Sequence, residues 1–162
     1  MAVVWEQKVV ELINNKDSVK VLATLDGDGV PHTAVKQSLH VDQEGRIVYL
    51  ELLESSRTFK NITLSLWHDQ YVSVTVKDDE SSYKIKGKPT RIHICGTLFE
   101  EHYIAVRERL GDVDLAAVCV IEPEEVRNQT YHERLAVQEA GQPFYVHLDR
   151  LASTVHTVEF SE

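Results

Sequence analysis

Residues 19–41 read VKVLATLDGDGVPHTAVKQSLHV, and this stretch decides the fold class. Val19 to Leu25 is a nearly continuous apolar run. Asp26-Gly27-Asp28-Gly29 then supplies residues tolerant of positive φ, and Pro31 to Val41 resumes as a strand, which predicts a β-hairpin. A second turn, Asp42-Gln43-Glu44-Gly45, leads into the strand-like run Arg46 to Leu53. Three consecutive antiparallel strands, a meander, are therefore expected.

Working outward, Trp5, Val9, Leu12 and Ile13 recur at helical spacing, so a short amphipathic helix precedes the hairpin. Beyond the meander, a helix is expected over Arg57 to Leu66 and strands over Tyr71 to Val76 and Ser82 to Ile94. The second of these carries Gly87 and Pro89, which predict a bulge or corner. Phe99, Tyr103, Val106 and Leu110 mark another helix, and Leu115 to Ile121 reads as a last strand stopped by Pro123. Successive strands join through hairpins rather than crossover helices, so the pattern predicts a small α+β, mainly β, antiparallel barrel of six strands with three peripheral helices. Residues 1–162 read as a single domain in which 124–162 form a C-terminal extension, with helices expected over Tyr131 to Ala140 and Phe144 to Leu151. Its few apolar residues require it to dock on the barrel, either at the rim of a ligand cleft or on the outside as a surface tail.

Composition narrows the function classes. The chain has 162 residues, 43% of them hydrophobic, which suits one globular domain. Its 17 Lys and Arg against 26 Asp and Glu give a net charge of -9, which argues against a nucleic-acid partner because phosphate-backbone binding needs clustered positive charge. Met1 to Lys16 alternates charged and apolar residues, so neither a signal peptide nor a membrane span is read there and a cytoplasmic location is expected. Cys95 and Cys119 sit in apolar runs and read as buried thiols. The eight histidines show no spacing that places two ligands on one helical face, so no metal site is predicted.

Ser56 to Ile62 read Ser-Arg-Thr-Phe-Lys-Asn-Ile directly after a strand. Two cations, two hydroxyls and a capping signal converge where a helix begins, and the unpartnered N–H groups and positive dipole end of that first turn suit an anion. The same residues also describe an ordinary amphipathic helix, with Phe59, Ile62 and Leu66 on one face, Ser55 or Ser56 as cap, and Arg57 and Lys60 facing water. Tyr49, Glu51, His32 and His93 are titratable residues on strands, where cross-strand pairing is the commoner role.

In order along the chain, several short motifs resemble the FMN-binding split-barrel family, which includes pyridoxamine 5′-phosphate oxidase and the small bacterial FMN-binding proteins. They are Ala23-Thr24 before the Asp-Gly turn, Pro31-His32, Gly45-Arg46-Ile47-Val48, Arg57-Thr58-x-x-Asn61, Tyr83 to Gly87, Gly96 to Glu100, and Val118 to Val126. The resemblance covers about Val19 to Val126 and implies a six-stranded split barrel, a homodimer and an FMN site at the subunit interface. It further implies that Arg57 and Thr58 hold the FMN phosphate, with Ser56 at the cap and Lys60 as an outer charge. The isoalloxazine ring would lie along Val35, Lys36, Gln37 and Ser38, with Tyr49 to Leu52 opposite, and Leu50, Glu51 and Leu52 as contacts. Lys36 near N1 or O2 would favour the anionic reduced flavin.

The Arg- and His-containing C-terminal signature of pyridoxamine 5′-phosphate oxidases is not recognisable in Phe144 to Thr157, so vitamin B6 oxidation is not implied. The resemblance thus points to an FMN-dependent oxidoreductase or electron carrier acting on an unidentified small substrate. The alternative is a non-catalytic module of the same barrel holding haem or a deazaflavin, with His147 or His156 as candidate axial ligands.

Overall fold

The computed structural model describes residues 3–141. Burial alternates along its strands. In β1 (Val19–Leu25), Lys20, Leu22 and Thr24 are buried, and in β5 (Val72–Lys77), Val72, Val74 and Val76 are buried, as expected where one face of a sheet meets a core. β2 (Pro31–Val35) pairs with β1 through the predicted hairpin, whose turn is closed by the Asp26 N–H donating to the Val30 carbonyl, with Gly29 at φ 78°. β3 (His40–Val41), β4 (Ile47–Glu51), β6 (Ser82–His93) and β7 (Ala117–Asn128) complete one sheet in the order β2-β1-β5-β6-β7-β4-β3. Every neighbouring pair is antiparallel. The result, among the described residues, is an α+β half-barrel of seven strands, not six.

The seventh strand comes from the stretch Pro31 to Val41, which is two strands rather than one. β2 and β3 stand at opposite ends of the sheet order, yet only Lys36 to Leu39 separate them. A flat seven-stranded sheet would hold its edges roughly 29 Å apart, six spacings of about 4.8 Å, whereas five Cα steps reach at most about 18 Å. The sheet must therefore curl until its ends approach. The break combines a bond to a distant strand with a local turn: the Lys36 N–H donates to the Lys20 carbonyl of β1, and the Leu39 N–H closes a turn on the Lys36 carbonyl. The expected meander is absent, because β4 pairs with β7 and β3 and not with β2.

Helices fill and flank the curl. α1 (Gln7–Asn14) buries Val9, Leu12 and Ile13 in the core, and the preceding Trp5 indole N–H donates to the Gly45 carbonyl at 2.9 Å. α2 (Arg57–Trp67) buries Ile62, and its Asn61 amide donates to the Thr24 hydroxyl at 3.0 Å. α3 (Thr97–Leu110) covers the other side of β4 and β7, packing Leu98, Phe99 and Tyr103 on Val48, Leu115, Val118 and Val120. α4 (Tyr131–Gly141) stands where a helix was expected over Tyr131 to Ala140, and buries no residue. The second short helix expected over Phe144 to Leu151 lies outside the described residues. No helix among the described residues is long and apolar enough to cross a membrane.

Two further expectations change. β7 does not stop at Pro123 but runs to Asn128, because Pro123 faces Gly87 at a register shift of the β6–β7 ladder. The irregularity removes the need for the N–H that proline lacks. Cys119 is buried as expected, but Cys95 is exposed: it lies beyond the last residue of β6 in the bend before α3, where the alternation of the strand no longer carries it inward.

Gly87 is the residue that permits this close approach. A Cβ there would stand 2.5 Å from the Glu122 carbonyl oxygen and 2.9 Å from Ile121 Cγ2. Gly87→Ala should therefore lower stability by about 1–3 kcal/mol, the range for overpacking. Urea denaturation checks this, and an unchanged midpoint would contradict the contact.

Candidate functional site

The seam where the sheet curls onto itself is held by polar side chains. Gln37 faces β1: its Nε2 donates to the Ser18 carbonyl at 3.1 Å and its Oε1 accepts from the Lys20 N–H at 3.3 Å. The Lys20 ammonium donates to the Gln37 carbonyl at 3.3 Å. Ser38 faces β4, its hydroxyl accepting from the Leu50 N–H at 3.0 Å and donating to the Leu50 carbonyl at 3.3 Å. Neighbouring residues of the turn closed by the Leu39 N–H on the Lys36 carbonyl thus grip opposite sides of the curled sheet.

Glu51, the last residue of β4, joins this seam to α2. Its side chain is 3% exposed, and Oε2 accepts from the Lys36 ammonium and the Ser56 hydroxyl, each at 2.8 Å. Its Oε1 accepts from the Leu53 N–H at 3.3 Å. Because the Ser56 hydroxyl gives its proton to Glu51, its lone pairs are left for the Phe59 N–H, which it accepts at 2.9 Å as the N-cap of α2. The Lys36 ammonium also lies 5.5 Å from the Tyr49 ring centroid. A buried carboxylate is tolerable here because a cation and two donors share it.

Beside the seam is a cleft of about 350 Å³. All seven residues expected at the ring, Val35 to Ser38 and Leu50 to Leu52, line it together. Leu53, Val106 and Arg109 line it too, and sequence reasoning missed all three. Nothing local in the helical pattern of Phe99 to Leu110 says that its last turns reach these strands.

The residues expected at the phosphate divide. Arg57 and Lys60 are exposed, and neither has an ion-pair partner among the described residues. Thr58 is buried, and its hydroxyl meets His32 Nε2 at 3.2 Å, so it is already partnered. The Phe59 and Lys60 N–H groups go to Ser56, which leaves the Arg57 and Thr58 N–H groups of the first turn. The Asp26 carboxyl is held below the usual carboxylate range by N–H donation from Val30, with N–H donation from Asp28 and the charges of Arg57 and Lys60 adding to it. The two cations therefore stand beside the β1–β2 turn.

Tyr49 does not reach the cleft. It is buried opposite Cys119, and burial, with the neighbouring thiol adding to it, pushes its phenol far above the ordinary value. The Cys119 thiol is pushed up to about 12, also by burial, so neither group exchanges protons near neutrality. Among the described residues no cluster of three metal-ligating side chains occurs.

No family model matches the sequence, and no curated protein matches it. Solved structures do. A variant form of the HupZ protein of Group A Streptococcus is 25% identical with a TM-score of 0.65, over 76% of this chain and 98% of that one. An FMN-binding protein from Syntrophomonas wolfei is 14% identical with a TM-score of 0.61, over 76% and 85%. HutZ from Vibrio cholerae, described as a haem storage protein, is 18% identical with a TM-score of 0.58, over 79% and 97%. Putative pyridoxamine 5′-phosphate oxidases and an F420 reductase share the fold as well.

The buried pair gives a direct test. Glu51→Leu would leave the Lys36 ammonium without its partner and should cost about 3–5 kcal/mol, whereas adding Lys36→Met should recover most of that loss. Urea denaturation of the single and double variants measures both. Strictly additive losses would contradict the coupling.

Proposed function

We propose, from a fold shared with pyridoxamine 5′-phosphate oxidase-like and FMN-binding split-barrel proteins, that this chain is a cytoplasmic, homodimeric FMN protein. It serves as an oxidoreductase or electron carrier for a small substrate. The observation that carries this reading is the Glu51 junction, which ties a cleft at the barrel seam to a helix start bearing two cations that form no ion pair among the described residues.

The residues fit the cofactor at both ends. Arg57, Lys60 and the free N–H groups of the first turn of α2 suit a phosphate, through charge and helix-terminus geometry together. At the ring end, the side chains of Gln37 and Ser38 are taken up by the seam. Contacts there fall to Val35, Leu52 and backbone groups, with Lys36 held in place by Glu51. When bound, FMN supplies hydride or electron transfer, while the chain sets orientation and charge. Thr58 contributes its backbone N–H in this account, and its hydroxyl as well when His32 Nε2 is the donor of their contact.

The dimer is supported by a sheet face that looks away from the core. Val21 and Ala23 of β1 stand beside Val35 and Thr33 of β2, and Val35 is 62% exposed. An apolar edge of this kind invites a second copy. The C-terminal extension is proposed to dock at the cleft rim, but its residues beyond Gly141 lie outside the described ones.

A haem or deazaflavin occupant is the second reading, favoured by neighbours described as a haem storage protein and an F420 reductase. His147 and His156, the candidate axial ligands, lie outside the described residues. The absorption spectrum separates the readings: flavin bands, a Soret band, or the deazaflavin spectrum.

Arg57→Ala should weaken FMN by about 1.5–3 kcal/mol in a fluorescence titration, the range for a charge-assisted hydrogen bond. An unchanged dissociation constant would contradict the phosphate assignment. Sedimentation should give a particle of twice the chain mass, and a monomer that retains FMN would contradict the interfacial site.

A further inference from the structure

The charges around the cleft do not balance. Lys36 is neutralised inside the protein by Glu51 at 2.8 Å. Arg107, on α3, is bonded to Asp112 at 2.8 Å, faces Asp114 at 3.8 Å and donates to the Tyr103 hydroxyl at 3.1 Å. Arg109, two residues on, lines the cleft, is exposed and has no ion-pair or hydrogen-bond partner among the described residues. It is accordingly the unpaired charge of a cleft whose other lining residues are the Lys36–Glu51 pair, Gln37, Ser38 and the apolar Val35, Leu50, Leu52, Leu53 and Val106.

We propose that Arg109 binds the carboxylate of a small substrate whose apolar body lies against Leu53 and Val106. The inference rests on the cleft being the ligand site described above. A guanidinium offers two parallel donors that match the two oxygens of a carboxylate. One free positive charge suits a monoanion better than a phosphate dianion, for which Arg57 and Lys60 together stand at the start of α2. The chain carries a net charge of -9, so an anion gains entry only where a local cation offsets that field.

Arg109 also lies in the last turn of α3, where any cation complements the helix dipole. Arg109→Lys keeps that role and loses the fork, which separates the two functions. The test is an NMR titration of the full chain, with and without FMN, using benzoate and its uncharged analogue benzamide as probes. Benzoate should shift the amide signals of Val106 to Gly111 and of Val35 to Ser38, and should bind at least about tenfold more tightly than benzamide. Arg109→Gln should weaken benzoate about tenfold or more, and Arg109→Lys by less. Equal binding of benzoate and benzamide, equal benzoate binding by wild type and Arg109→Gln, or no shift at these residues would overturn the proposal. If FMN itself did not bind, the flavin reading would fall, and the titration without FMN would still decide the role of Arg109.

Discussion

The structure depends on a constraint of length: four residues, Lys36 to Leu39, link the strands at the two ends of the sheet order. Once β2 and β3 are paired at their respective edges, so short a connection leaves no flat arrangement, and the sheet must curl. The same four residues then become the seam. Gln37 bonds to β1, Ser38 to β4, and Lys36 reaches the carboxylate of Glu51. Closing the fold and forming the cleft are therefore one event, since the residues that hold the edges together also line the pocket beside them.

Glu51 extends that event to the neighbouring helix. A lone buried carboxylate would be strongly unfavourable, and the Lys36 ammonium, the Ser56 hydroxyl and the Leu53 N–H offset the loss of water. The arrangement fixes the N-cap of α2 relative to the seam, while Arg57 and Lys60 of the following turn stand beside the β1–β2 turn. Arg109 approaches from a different element and brings charge that nothing within the described residues neutralises.

Much of this was legible in the sequence, and the failures share a cause. The hairpin was readable because Asp26 to Gly29 announces its turn, and the β6 corner because Gly87 and Pro89 interrupt an alternating run. The break at Lys36 was not, since Leu39 and Val41 resume the apolar pattern without a glycine or proline between, and the local turn from Lys36 to Leu39 is held by bonds to Lys20 and Leu50 far along the chain. Pro123 misled for the converse reason: a local breaker is harmless where the opposite strand carries Gly87 at a register shift. The cleft residues of β2 and β4 came into view through the family resemblance and do share one cavity. The contact of the Thr58 hydroxyl with His32, 26 residues away, leaves no local mark, and Val106 and Arg109 were missed because helix docking leaves none either.

The function turns on what occupies the seam. Native mass spectrometry of the full chain, purified without added cofactor and kept under non-denaturing conditions, tests this most directly. The prediction is a dimer carrying two FMN molecules. A monomer, or a dimer whose added mass is that of haem or of a deazaflavin, would contradict it.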